Sequence, residues 1–148
     1  MANSCVPFCS TALLVMTAQI RIHDNEPPIA VENDIQLENA LRSATDEARS
    51  RDMLAAIGIK AGNGNEMTIV VGGEETVLSF NFGHLDPPYY ASKGSSDEDQ
   101  PVMTCYLNFK HHTEFPRKSV IPITGGIAAV KQFLGTGELP DCVRWEEV

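Results

Sequence analysis

Two stretches of the chain carry apolar residues at the spacing of one helix face. The first follows Asn33, whose side chain can cap a helix, with Gln36 three residues later as in a capping box. The second ends at Gly135, a residue type common at helix C-termini. These patterns predict helices over about residues 34–50 and 125–134. Their apolar positions are Leu37, Leu41, Ala44 and Ala48 in the first and Ile127, Val130 and Leu134 in the second.

Shorter stretches have the apolar runs or the two-residue alternation of β-strands. They cover residues 19–23, 54–61, 67–71, 76–82, 102–109 and 142–148. The order of a strand, a helix, several strands, a helix and a strand is typical of an α+β fold. We therefore predict a mainly antiparallel sheet of about five to six strands, packed with two helices.

The length of 148 residues fits one domain. We expect residues 17–148 to form this domain and residues 1–16 to be a poorly ordered extension. The extension is a weak apolar run that lacks the basic residues with which a secretory signal begins. No stretch approaches the roughly 20 apolar residues that a membrane-spanning helix needs. The sequence therefore predicts a protein that does not bind membranes.

The chain has four cysteines, Cys5, Cys9, Cys105 and Cys142, and no Cys-x-x-Cys pair. Cys105 and Cys142 lie among apolar neighbours and are predicted to be buried free thiols. Free thiols fit a reducing compartment, so we expect a cytoplasmic protein.

Twenty acidic and eleven basic side chains give the chain a net charge of −9. Direct binding of nucleic acid needs clustered lysine and arginine, so this balance argues against it. The acid excess has two interpretations that composition alone leaves open. It keeps the protein soluble, or it forms an acidic face that complements a basic partner.

The segment from residue 83 to 101 interrupts the regular pattern with glycine, proline and serine. It carries the acidic run Asp97-Glu98-Asp99 and the pair Tyr89-Tyr90. A polar loop this long in a small domain is typical of a functional segment, and tyrosines are common contact residues at interfaces. We therefore predict that this loop contacts a partner.

The densest group of potentially reactive side chains contains His111, His112 and Glu114, with Cys105 nearby in the sequence. On a strand, His111 and His112 would point to opposite faces, so only His112 and Glu114 could serve one metal ion. His112-Thr113-Glu114 also matches the first half of the zinc-deaminase signature, but the sequence lacks the Pro-Cys-x-x-Cys half. Serine-nucleophile and phosphate-loop motifs are missing as well.

These observations predict a binding protein rather than an enzyme, with no catalytic residue, no metal site and no cofactor. The alternative is a small metal-binding or ligand-binding enzyme with its site at His112, Glu114 and Cys105. A metal bound in stoichiometric amount would favour that alternative.

The C-terminal half resembles the first immunity-protein family of bacterial polymorphic toxin systems. The resemblance covers roughly residues 66–148 and includes an E-F-P element at 114–116, an F-L-x-T-G-x-x-P stretch at 133–140 and a final V-x-W strand at 143–145. The segment Pro87 to Gly94 is similar to the middle of the family. Thr124-Gly125-Gly126 departs from the pattern, because acidic residues are usual at the start of that helix.

The resemblance implies an inhibitor of a cognate toxin, working in the cytoplasm of the cell that makes both. Toxins paired with this family are typically deaminases that act on nucleic acid, including cytosine deaminases. The resemblance implies no catalytic residue. An immunity protein would cover the active site or substrate groove of such a toxin, whose surface is basic. The predicted contact residues are Tyr89, Tyr90, Asp97, Glu98, Asp99, His112 and Glu114.

Overall fold

The computed structural model describes residues 17–148, so the expectation for residues 1–16 lies outside the described part of the chain. Two helices are present there, α1 (Asp34–Ser50) and α2 (Ile123–Thr136), with a short 3-10 turn at Arg117–Ser119. The strands are β1 (Ala18–Arg21), β2 (Ile29–Val31), β3 (Ala55–Lys60), β4 (Glu66–Val71), β5 (Glu75–Thr76), β6 (Leu78–Asn81), β7 (Tyr89–Ser92), β8 (Met103–Leu107), β9 (His111–Phe115), β10 (Ile121–Pro122) and β11 (Trp145–Glu147).

The main sheet has nine strands among the described residues, more than the predicted five to six. Its order is β9-β8-β3-β4-β6-β7-β11, and β1 joins β3 on one side and β2 on the other. All its pairs are antiparallel except β3 with β8, where Ala55 lies opposite Tyr106. The strands β5 and β10 form a separate antiparallel pair. The predicted α+β class with a mainly antiparallel sheet and two helices is confirmed.

Helix α1 begins as the sequence predicts. The side chain of Asn33 accepts a hydrogen bond from the backbone N–H of Gln36 at 2.9 Å. The Gln36 side chain accepts one in return from the backbone N–H of Glu32 at 2.7 Å, one residue earlier than in an ideal capping box. The helix buries the predicted stripe of leucines and alanines against the sheet.

Helix α2 ends two residues later than predicted. Gly135 lies inside the helix, and the left-handed cap is Gly137 at φ 70°, whose N–H donates to Phe133 O at 2.7 Å. The stop predicted at Gly135 is therefore wrong. Near the other end of α2, a Cβ added to Gly126 would lie 2.5 Å from Thr76 Cγ2. The close approach of α2 to β5 thus explains the glycine at this position.

Both helices pack on one face of the main sheet, which we call the helix face. Its fully buried side chains come from β1, β3, β4 and β6 and from both helices. Among the largest are Ile20, Leu37, Ile57, Ile59, Met67, Ile69, Leu78, Phe80 and Phe133. Trp145 of β11 lies half-buried at the border of this core and donates from its indole N–H to Pro140 O at 2.6 Å.

The opposite face, which we call the open face, has two halves. Its apolar half is a cluster of Ala56, Val70, Val77, Met103 and Cys105 with Val120, the residue that follows the 3-10 turn. The segment 93–102 is hydrogen-bonded to that turn, from Gly94 N–H to Lys118 O and from Arg117 N–H to Asp99 O, and we call the segment and the turn together the cover. The other half of the open face presents small or polar residues of β3, β4 and β6, and no described segment packs over them. These residues are Gly58, Lys60, Glu66, Thr68, Ser79 and Asn81.

Candidate functional site

The two predicted contact tyrosines lie in a strand, so the prediction that they belong to a loop is wrong. Tyr89 and Tyr90 are the first residues of β7, and adjacent strand residues point to opposite faces. Tyr90 lies opposite Phe80 on the helix face, with the ring centroids 6.5 Å apart, and is half-buried. Tyr89 lies opposite Asn81 on the open face and is 37% exposed. Only Tyr89 of the pair can therefore serve as a surface contact.

The acidic run at 97–99 is exposed, as its composition predicts. Lys93, at the start of the same segment, donates to Gly94 O and Ser96 O, both at 2.9 Å, and lies 3.2 Å from Asp97 Oδ1. The Asp97 side chain is nevertheless 94% exposed. The charge of Lys93 is thus used to fold the segment, while the carboxylates remain accessible to a partner.

Lys118 connects this run to the last strand of the sheet. Its Nζ lies 4.0 Å from Asp99 Oδ1 and 3.9 Å from Glu146 Oε1. Glu146 belongs to β11 and lies opposite Ala91 of β7. Ala91 in turn lies opposite Ser79, which is on the open face. Asp99 and Glu146 therefore belong to the same side of the sheet as Tyr89.

Leu85 is an exposed apolar residue beside Tyr89 that the sequence analysis did not select. The hydroxyl of Tyr89 donates to Leu85 O at 2.9 Å. Leu85 is 64% exposed, and its φ of 68° is in the left-handed region that a leucine rarely adopts. Its position between turn-forming residues, in Gly-His-Leu-Asp-Pro-Pro, was an available signal, since an apolar residue at a loop tip has no core to enter.

We group these residues as one candidate surface, because contacts link Leu85 to Tyr89 and Lys118 links Asp99 to Glu146, and Tyr89 and Glu146 lie on the same side of the sheet. We call it the β7–β11 surface: Leu85, Tyr89, Asp97, Glu98, Asp99 and Glu146. The patch adjoins a concavity of about 460 Å³ on the polar half of the open face, because Asn81 lines that concavity and lies opposite Tyr89. Arg21, Gly58, Lys60 and Thr68 line it as well. A partner would therefore meet exposed apolar side chains at Leu85 and Tyr89, exposed carboxylates at 97–99 and a concave surface beside them.

His112 and Glu114 are separated from this patch by the width of the sheet. They lie on β9, at the edge of the sheet opposite β11. Their side chains point to the helix face, because His112 lies opposite Tyr106, and Tyr106 lies opposite Ala55 of that face. Both side chains are about half exposed, with His112 Nε2 3.6 Å from Glu114 Oε2. The imidazole packs edge-on against Tyr106, with the ring centroids 5.6 Å apart. The predicted contact residues therefore do not form a single site.

The residues of the alternative metal site do not converge either. Cys105 lies opposite Thr113, on the other face of the strand pair from His112 and Glu114, and is fully buried. Burial raises the pKa of its thiol to about 11, which keeps it protonated and unreactive. Within residues 17–148, no group of three or more His, Cys, Asp or Glu side chains is placed to hold a metal ion.

Two further predictions concern residues near these. His111 and His112 do point to opposite faces, and His111 Nε2 pairs with Asp24 Oδ2 at 2.7 Å. The buried state predicted for the two core cysteines is confirmed for Cys105 and wrong for Cys142, which is exposed. Cys142 lies in the irregular segment between α2 and β11, where its apolar neighbours in sequence do not cover it.

Comparison with known proteins gives one family. A family model described as Immunity protein Imm1 matches residues 25–147, which include α1, α2 and β2 to β11. Comparison with curated proteins gives no match. Among the described residues, no helix has the length and apolar character needed to cross a membrane.

Proposed function

The chain belongs to the Imm1 immunity protein family, and from this premise we propose that it blocks a cognate deaminase-type toxin by docking its β7–β11 surface on the toxin's nucleic-acid groove. The family identifies it as an immunity protein that acts against a toxin. The single observation that carries the choice of surface is that exposed Tyr89, bonded to Leu85, lies on the same side of the sheet as an accessible acidic run.

The apolar part of the surface supplies the contacts from which binding energy comes. Interfaces obtain most of their affinity from a few large side chains that become buried, with tyrosine prominent among them. Leu85 and Tyr89 are two of the exposed large apolar side chains in the described part of the chain, and a hydrogen bond holds them together. We therefore place the centre of the interface on these two residues.

The acidic part of the surface supplies orientation and speed of association. Asp97, Glu98 and Asp99 project from a segment whose own lysine is turned inward. An enzyme that acts on nucleic acid must present basic side chains to the phosphates, so its groove complements this run. An inhibitor placed there excludes the substrate before a base can enter the catalytic pocket.

The proposal assigns the protein no catalytic step, no cofactor and no direct contact with nucleic acid or membrane. Its place of action is the cytoplasm of the producing cell, where a nucleic-acid-directed toxin would otherwise reach its substrate. The alternative enzyme site at His112, Glu114 and Cys105 has no support, because the buried thiol and the two exposed side chains lie on different faces.

Charge reversal of the acidic run tests the proposal. In the variant D97K/E98K/D99K, we expect association with the cognate toxin to slow by about 10- to 100-fold at low salt, because the electrostatic attraction is inverted. The fold should persist, since these side chains are exposed. The measurements are association kinetics by biolayer interferometry and inhibition of toxin activity on a DNA substrate at equal molar amounts.

A matched control has the same change of net charge on the other side of the molecule. The variant E32K/D46K/E138K reverses three exposed acids that lie within or next to the two helices, Glu32 before α1, Asp46 in α1 and Glu138 after α2. Its association rate should stay within about threefold of the native rate. Equal slowing in both variants would place the interface elsewhere. If the toxin is neutralised but does not deaminate nucleic acid, the docking surface is supported and the deaminase target is wrong.

A further inference from the structure

The strand β9 is an open edge of the main sheet. It pairs with β8 on one side, and no strand within residues 17–148 pairs with its other side. The five residues His111–Phe115 pair in unbroken register with β8, without a bulge, and the first proline follows at Pro116. Proteins usually protect such an edge with a bulge, a proline or a covering segment, because free backbone groups can accept a further strand.

The direction of the free backbone groups follows from the pairing of β8. The N–H groups of Tyr106 and Asn108 donate toward β3, at 3.0 Å and 2.8 Å. Alternate strand residues present their backbone groups to opposite sides, so Cys105 and Leu107 present theirs to β9. Their partners there are Thr113 and His111.

The outward groups of β9 therefore belong to His112 and Glu114. Each of these residues presents one N–H and one C=O to solvent along the edge. Their side chains lie on one face of the sheet and are about half exposed. The edge thus combines two free backbone positions with a histidine and a carboxylate, and these are spaced two residues apart.

We propose that β9 binds β9 of a second copy of this chain, in an antiparallel pair centred on Thr113, which joins the two sheets. In that register His112 lies opposite Glu114 of the partner subunit, and Glu114 lies opposite His112 of the partner subunit. The outward backbone groups of these positions then bond to each other as in an ordinary antiparallel ladder.

The side chains favour this register over a shifted one. A two-fold pair centred on Thr113 sets each imidazole N–H beside a carboxylate of the other copy, an opposite-charge or hydrogen-bonded pair that stabilises neighbouring strands. A shift that places His112 opposite His112 of the partner subunit removes both pairs. Tyr106 holds the His112 ring from behind, so the ring is oriented before the second copy arrives.

The dimer leaves the β7–β11 surface free, since β9 and β11 are the two ends of the sheet order. If the proposed function holds, each dimer therefore binds two toxin molecules. The dimer itself needs no toxin, so it is measured on the purified full chain. Failure of one proposal leaves the other untouched.

A charge swap across the pair tests the proposal by sedimentation velocity over a range of protein concentrations. The variant H112E places two carboxylates opposite each other, and E114K removes the carboxylate that accepts from the imidazole of the other copy. Each should raise the dimer dissociation constant by about tenfold or more. The double variant H112E/E114K restores opposite charges with the order reversed. It should return to within about threefold of the native value.

Amide hydrogen exchange gives a second readout that follows the backbone. The amides of His112 and Glu114 should become protected as the protein concentration rises, while those of His111 and Thr113 are protected by β8 at every concentration. A chain that remains monomeric up to about 1 mM would overturn the proposal. So would a dimer that either single variant leaves intact, or one that the double variant fails to restore.

Discussion

The two faces of the main sheet are stabilised in different ways. On the helix face, Phe80 is fully buried and has four aromatic rings around it with centroids within 6.5 Å, those of Phe82, Tyr90, Phe133 and Trp145. On the open face, the apolar half packs against Val120, and the cover is made of the 3-10 turn before it and the loop segment hydrogen-bonded to that turn. Side-chain packing dominates the first face, and polar bonds hold the cover of the second.

Specific polar bonds hold the cover of the open face in place. Gly94 N–H donates to Lys118 O at 2.7 Å, and Arg117 N–H donates to Asp99 O at 3.0 Å. The Arg117 guanidinium makes a two-pronged contact with Glu75, at 3.1 Å and 2.7 Å, and this carboxylate raises the pKa of the guanidinium. Because most of the buried apolar side chains belong to the helix face, the open face can carry charged residues for a partner at less cost to the core.

Removing a large side chain from the helix face should have the largest effect. The change Phe133→Ala leaves a cavity against Phe80 and should lower the free energy of unfolding by about 3–5 kcal/mol. Urea unfolding with an unchanged m-value checks this. The exposed Thr124 of the same helix is the control, and Thr124→Ala should stay within about 0.5 kcal/mol. A small loss at Phe133 would mean that the helix face is less tightly packed than its burial indicates.

Disturbing the cover of the open face should have a medium effect. A Cβ at Gly94 would overlap the carbonyl oxygen of Val120, so Gly94→Ala should lower the free energy of unfolding by about 1–3 kcal/mol. Val120 packs in the same cluster as Cys105, so displacing it should also loosen the cover locally and expose Cys105. Site-resolved alkylation under native conditions measures that opening, with exposed Cys142 as the internal reference.

The neighbouring residue Ser95 supplies the control for the cover. Ser95 is exposed, so Ser95→Ala should change neither the free energy of unfolding nor the alkylation of Cys105. If Gly94→Ala destabilised the chain without faster labelling of Cys105, the cover and the helix face would unfold as one unit. The contrast between the two faces would then fail.

Segments with a clear apolar pattern predicted both helices and the strands β1, β3, β4, β6 and β8, whereas strands without such a pattern were missed. Helix α1 was predicted with its observed first and last residues, because its apolar stripe and its N-terminal cap indicate the same helix. Strand β7 was missed because Pro87 and Pro88 precede it and its sequence carries no alternation. It forms because it pairs with β6 on one side and on the other with β11, a strand far away in the sequence. The pattern of apolar residues in a segment cannot predict a strand that forms only because neighbouring strands pair with it.

The candidate surface could be predicted in part for the same reason. The run at 97–99 was predicted to be exposed because three adjacent carboxylates have no place in a core. Glu146 belongs to the surface because the strand register places it opposite Ala91, which the sequence does not show. Tyr90 does not belong to it, because adjacent residues of β7 point to opposite faces. His112 was grouped with the surface by residue type, although the sheet places it at the far edge.

The smallest expected effect on stability has the opposite sign and concerns Leu85. A left-handed conformation costs a leucine roughly 1–2 kcal/mol, and asparagine tolerates it better. Leu85→Asn should therefore raise the free energy of unfolding by up to about 1 kcal/mol, because the exposed side chain loses no packing. The same change should speed dissociation of the toxin complex by about fivefold or more, because the apolar contact is removed.

Ile35 is the matched control for Leu85, because it is similarly exposed, at 70%, but lies in the ordinary helical backbone of α1. Ile35→Asn should bring no gain in stability and no change in the dissociation rate. Thermal unfolding and biolayer interferometry measure the two quantities on the same samples. A stability gain together with weaker binding at Leu85 alone would show that the open face keeps a strained residue for its partner. Weaker binding in both variants would instead extend the interface to the helix face.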